Sequence, residues 1–274
     1  MNLALSEDRL ARAHPQDAIT EAVYVAVRIP KSGSESLAEL LRAAFPESHR
    51  FYLPSTYDAD GQLSLLQRLR FLRSRGRNLM ERYRTLDMHD AYEAIEETAQ
   101  YGDLIEGGHI DFPTVRANIG RKLRIITLLR DPAQRSLSEY NYARQVYERR
   151  HPLRRFTVAL ISKIAGTRDY DGFLDFMEEH RAVYGDIASR YIGWDGVENL
   201  SSYFARSVFH AGVLEDRDRF ARELSEKLGK NLAFPHQNRT VNPAETAVTA
   251  AQRTKIEKIY ARDMALYLWT RSHI

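Results

Sequence analysis

Residues 22–29 read Ala-Val-Tyr-Val-Ala-Val-Arg-Ile, a nearly continuous β-branched apolar run that breaks at Pro30 and gives way to Lys31-Ser32-Gly33-Ser34. A strand apolar at consecutive positions is one buried on both faces, and such strands belong to parallel sheets covered by helices. From Ser36 to Phe45, Leu37, Leu40, Leu41 and Ala44 recur at helical spacing. The unit is therefore strand, small-residue loop, helix. In such a unit the loop N–H groups can approach a phosphate, and the helix N-terminus adds favourable partial charge. Lys31, Ser32, Gly33, Ser34 and Ser36 suit that task.

The pattern recurs downstream. Arg124 to Leu129 is a second apolar strand, closed by Arg130-Asp131-Pro132, and Ala133 to Tyr147 resumes helical spacing. Asp103 to Ile105 predicts a short strand running into Gly107-Gly108-His109, and Ser207 to Leu214 a third apolar strand. Helical segments are expected at Gln62 to Arg84, Phe173 to Met177, Ile187 to Ile192, Phe220 to Leu228 before the C-cap Gly229, and Thr249 to Trp269. Strands alternating with helices predict a three-layer α/β, P-loop-like domain with a mostly parallel central sheet. At 274 residues and 43% hydrophobic the chain can bury one large core. We read 1–274 as a single domain with a polar N-terminal arm over 1–20.

A formal charge of +3 suggests an anionic ligand without requiring a nucleic acid. The absence of cysteine removes disulfides, thiolate nucleophiles and Cys-based metal sites. Met1 to Asp17 holds no apolar stretch long enough for a signal peptide or membrane anchor, and a cytoplasmic location with no transmembrane segment is expected.

In the ATP-hydrolysing loop GxxxxGK[ST] lysine follows glycine; here it precedes it. Ile29-Pro30-Lys31-Ser32-Gly33-Ser34 instead resembles the 5′-phosphosulfate loop of sulfotransferases that use 3′-phosphoadenosine-5′-phosphosulfate (PAPS). The resemblance implies that Lys31 contacts the phosphosulfate bridge and that Ser32, Gly33, Ser34, Glu35 and Ser36 line the 5′-phosphate site. Glu35 would also favour the helix dipole, yet a carboxylate so near a phosphosulfate is repulsive. Arg130-Asp131-Pro132 with Ser138 eight positions after the arginine resembles the family's 3′-phosphate motif. A guanidinium there gives a charge-assisted grip on phosphate, and Asp131-Pro132 is at the same time an ordinary helix start.

Gly107-Gly108-His109-Ile110-Asp111-Phe112 is similar to a segment of the heparan and dermatan/chondroitin uronosyl 2-O-sulfotransferases, though shorter between histidine and Asp-Phe. The match implies that His109 is the general base; a hydrogen-bonded structural histidine is the alternative. In the glucosaminyl 3-O branch a glutamate eight positions past the lysine has that role, which is Glu39 here. Ser189-Arg190-Tyr191-Ile192-Gly193 and Ala211-Gly212-Val213-Leu214-Glu215 resemble later segments of the superfamily. Phe234 to Thr240 falls where the family has a loop that closes over the nucleotide, a resemblance that implies a phosphate contact for Arg239; a surface loop is the alternative.

The reaction implied is transfer of a sulfuryl group from PAPS to a hydroxyl of a carbohydrate or glycoconjugate, with Lys31 and His109 catalytic and no metal. Arg144, Arg149, Arg150, Arg154 and Arg155 form either a rim for an anionic glycan or glycolipid or a solvated helix face. A non-sugar acceptor, a small-molecule kinase and a non-catalytic binding module stand as alternatives.

Overall fold

Every residue of β1 (Val23–Val27) is buried, as the unbroken apolar run requires. Val23, Val25 and Val27 enter one core while Tyr24 and Ala26 enter another. The computed structural model describes residues 21–53, 88–235 and 247–274. The N-terminal arm, the segment expected at Gln62 to Arg84 and Arg239 lie outside the described residues.

After β1 come α1 (Ser34–Ala44), a 3₁₀ turn, β2 (Arg50–Leu53), α2 (Met88–Thr98), β3 (Leu104–Gly107), α3 (Phe112–Asn118), β4 (Leu123–Leu129) and α4 (Pro132–Arg149). The 3₁₀ turn Pro152–Thr157 leads to α5 (Leu160–Thr167), α6 (Tyr170–Glu179), α7 (Arg181–Tyr184), α8 (Ile187–Ile192), α9 (Leu200–Ser207) and β5 (Val208–Val213). The chain ends with α10 (Arg217–Leu228), α11 (Ala250–Ile259) and α12 (Ala261–His273).

Among the described residues five strands form one sheet in the order β2-β3-β1-β4-β5, and each pairing is parallel. Val25 faces Ile105 on one side and Ile125 on the other, so β3 and β4 flank β1. The connection after β1 runs toward β2 and that after β4 toward β5, in opposite directions, and the crevice beyond the strands' carboxyl ends is where such sheets bind ligands. Arg28 to Gly33, Gly108-His109 and Arg130 all begin at that edge.

α1 and α10 cover one face, with Leu37, Leu40, Phe220 and Leu224 against Tyr24 and Ile126. The other face meets Ile95, Val115, Ile192 and Leu266 from α2, α3, α8 and α12. A further cluster joins α4, α5, α6 and α11 through Leu137, Ala165, Phe173 and Ile256.

Helices α2, α3, α5, α7 and α9 have no counterpart in the sequence reading, and β2 and the C-terminal tail also differ from it. β2 was not expected, because four residues beginning with an arginine give no strand signal; Arg50 reaches Glu106 on β3 at 2.7 Å. The tail predicted as one helix is two, separated at Tyr260 (φ −120°, ψ 41°). Tyr260 is fully buried with the Arg135 guanidinium 4.6 Å from its ring centroid, and the Asp186 carboxylate accepts from the backbone N–H of Arg262 at 2.9 Å, capping the new start. No helix among the described residues is long and apolar enough to cross a membrane.

Candidate active site

The β1–α1 loop bends through Lys31 (φ 65°) and Gly33 (φ 76°), both left-handed. Glycine is the residue that adopts this at little cost, and Gly33 has a second reason: an added Cβ would lie 2.7 Å from Leu214 Cδ1, on the exit of β5. Gly33 is the N-cap of α1, and no side chain caps that helix. Its first-turn N–H groups receive no bond from an N-cap side chain. Ser36 is buried, Ser34 half-buried, and Ser32 is 1% exposed, its Oγ without a hydrogen-bond partner among the described residues. A buried hydroxyl left unpaired costs about 1–3 kcal/mol unless a ligand completes it.

Arg28, the one charged residue in the β1 run, ties three elements together. It is 6% exposed and donates to Ser34 O at 3.0 Å, Gly107 O at 2.6 Å and the Glu35 carboxylate at 2.5 Å. Gly107 has no room for a side chain, since a Cβ would meet Leu53 O at 2.0 Å. The pairing with Arg28 explains how Glu35 is accommodated beside a phosphate-binding loop: its charge is neutralised from beneath.

His109 is half-buried, with Nδ1 2.8 Å from the carbonyl oxygen of Arg28. A carbonyl only accepts, so Nδ1 donates; in the neutral ring the basic lone pair is then on Nε2. The edge of Tyr191, from α8, packs against the imidazole with ring centroids 6.4 Å apart.

Asp131 and Pro132 start α4 as N-cap and first residue, the Asp131 carboxylate accepting from Ala133 N at 2.7 Å and Gln134 N at 3.1 Å. Arg130, just ahead, donates from Nη1 to Lys31 O at 3.1 Å, so the two sequence motifs are in direct contact. Lys31 Nζ lies 4.0 Å from the centroid of the Tyr142 ring. Burial lowers the pKa of Lys31; Glu139 opposes that shift and Arg130 adds to it. Burial likewise lowers that of Arg130, opposed by Glu215 and Asp131. Two desolvated cations on segments in direct contact favour a polyanion. Ser138 is half-buried on the second turn of α4, and the neighbouring Glu139 accepts from the buried Arg135 at 3.0 Å.

Lys31, Ser32, Gly33, Ser34, Glu35, Ser36, Arg130 and His109 thus meet at one edge of the sheet. Glu39 is on an exposed face of α1. His210, 1% exposed, donates from Nε2 to Phe220 O at 3.0 Å and is a structural histidine. Arg28, Glu139 and Tyr142 escaped the sequence reading, and Tyr191 entered it only as part of the segment Ser189 to Gly193. Arg28 carried a signal of its own, a lone charge inside an otherwise apolar strand.

A family model described as "Sulfotransferase domain" matches residues 25–232. The solved structure of mouse sulfotransferase SULT7A1 complexed with PAP is similar at 14% identity and a TM-score of 0.41, over 89% of this chain and 65% of that one. The chain therefore spans less than two thirds of that relative's length. No curated protein matches it.

Proposed function

This chain belongs to the sulfotransferase domain family, and from that premise we propose that it transfers a sulfuryl group from PAPS to a hydroxyl of a carbohydrate or glycoconjugate. The observation that carries this reading is the contact of Arg130 with Lys31 O, which joins the loop suited to a 5′-phosphosulfate to the helix suited to a 3′-phosphate. The unpaired Ser32 hydroxyl, the uncapped start of α1 and the two desolvated cations fit such a donor.

PAPS supplies the sulfuryl group on a phosphate leaving group. In this reading the loop N–H groups and Ser32, Ser34 and Ser36 hold the 5′-phosphate, Arg130 and Ser138 hold the 3′-phosphate, and Arg239 is a further phosphate-binding candidate from the family resemblance. His109 Nε2 takes the proton of the acceptor hydroxyl as its oxygen bonds to sulfur and the bond from sulfur to the bridging oxygen breaks. The electron pair leaves with adenosine 3′,5′-bisphosphate, where Lys31 meets the new negative charge. Positioning and electrostatics do most of the work, as in phosphoryl transfer. The Arg28 carbonyl fixes the tautomer this step needs. No step requires a metal.

We read residues 1–274 as one domain acting in the cytoplasm. The sugar acceptor rests on the likeness of the His109 segment to uronosyl 2-O-sulfotransferases. Incubation with sulfur-labelled PAPS and a panel of glycans, glycolipids, tyrosyl peptides and small alcohols tests it. A labelled sugar product is expected; label on a peptide or small alcohol would displace the carbohydrate reading, and nucleotide binding with no labelled product would favour a binding module.

A further inference from the structure

From Arg149 to Arg168 the chain carries Arg149, Arg150, Arg154, Arg155, Lys163 and Arg168 and no acidic residue. Arg144, just before, is paired with Glu148 at 2.8 Å; the next carboxylate is Asp169. α5 packs back along α4, with Gly166 so close to Tyr147 that a Cβ would meet the ring at 2.0 Å. Residues 150–160 are therefore the tip of a helical hairpin. At that tip Leu153 is 78% exposed, Phe156 79% and Leu160 54%.

The tip is an ordered turn. Arg154 N donates to His151 O at 2.8 Å and Thr157 Oγ1 to Arg154 O at 2.7 Å. Arg155 lies with its guanidinium 4.8 Å from the centroid of the Tyr147 ring. Hydrogen bonds are satisfied inward while leucine and phenylalanine project outward among unbalanced cations. Two large apolar side chains held out on an ordered turn forgo the burial that would stabilise them.

We propose that this tip docks onto an anionic lipid surface, with Leu153 and Phe156 entering the boundary between headgroups and acyl chains and the surrounding cations meeting headgroup anions. An interfacial segment needs both halves of that pattern. A soluble polyanion satisfies the cations and leaves the leucine in water. A second copy of the chain would set like charge against like charge. The tip is about 27 Å along α4 from Arg130 and about 12 Å from Tyr142, whose ring meets Lys31, at 1.5 Å per residue, so a docked surface would lie near the lysine side of the site. The proposal does not depend on the transfer reaction.

Flotation of the full chain with phosphatidylcholine vesicles, and with vesicles that also contain phosphatidylserine, tests it. Binding is expected to the anionic vesicles, weakened by salt and by loss of either half of the pattern. Arg150→Gln with Arg154→Gln should lower partitioning about thirtyfold, and Leu153→Ser with Phe156→Ser about tenfold or more. These side chains are exposed, and circular dichroism checks that each variant folds. Failure to float with anionic vesicles would overturn the proposal. So would a Leu153→Ser/Phe156→Ser variant that binds like the parent, which would reassign the tip to soluble polyanions such as heparin.

Discussion

Lys31 sits in a left-handed conformation that costs a side-chain-bearing residue about 1–2 kcal/mol, and its ammonium is desolvated against Tyr142. Such placement is useful if the charge is needed at one spot, and Lys31→Ala is expected to slow single-turnover sulfuryl transfer by about 100-fold or more. Wild-type turnover in that variant would remove the lysine from the reaction. For His109, the carbonyl of Arg28 selects the tautomer, so His109→Gln should lower kcat by about 10²–10⁴ while binding of adenosine 3′,5′-bisphosphate, measured by calorimetry, changes little. Full activity would transfer the proton-accepting role elsewhere, Glu39 being the position the sequence offers. Lys31, His109 and Arg130 were legible because each sits in a contiguous motif at a strand end. Tyr142 and Glu139 were not, since what they do follows from the packing of α4 beside the β1 loop, which no local pattern encodes. Glu35 was legible as a position, whereas the partner that balances its charge, Arg28, is supplied by the fold.

The strands β1, β4 and β5 were readable because burial on both faces leaves an unbroken apolar run, whereas β2 is short and begins with an ion-paired arginine. The break at Tyr260 was invisible for a different reason: its cap, Asp186, comes from a distant part of the chain. Contacts between elements make two further outcomes testable. Gly33 has both a positive φ and a close neighbour on the β5 exit, so Gly33→Ala should destabilise the fold by about 1–3 kcal/mol in urea unfolding and weaken nucleotide binding. An unchanged midpoint would mean that the loop relaxes without penalty. Between β5 and α10, burial and then Lys227 depress the pKa of His210 from 6.5 to about 3. Between those values the unfolded chain binds a proton that the folded chain does not, so stability falls as pH drops below 6.5, by at most about 1.4 kcal/mol per pH unit. Urea unfolding at about pH 7.5 and 5.5 should show wild type losing about 1 kcal/mol more than His210→Gln. Equal losses would show that His210 does not supply the difference.

Across the whole molecule, the parallel sheet and its helical layers were legible from alternating strand and helix signals, and the order of the two phosphate-type motifs suggested a shared ligand. What only the fold supplies is their meeting. β1 and β4 are neighbours in register, which sets Arg130 directly on the Lys31 carbonyl. Leu153, Arg154 and Phe156 at the docking tip are not among the residues that meet at the sheet edge, so surface attachment and nucleotide binding should be separable by mutation. Convergence of the two motifs on one bisphosphorylated nucleotide is tested most directly by calorimetric titration of wild type and Arg130→Ala with adenosine 3′,5′-bisphosphate and adenosine 5′-monophosphate. Wild type should prefer the bisphosphate by tenfold or more, a charge-assisted phosphate contact being worth about 1.5–3 kcal/mol, and the substitution should erase most of that preference. Equal affinity of wild type for both nucleotides, or a preference that survives Arg130→Ala, would contradict it.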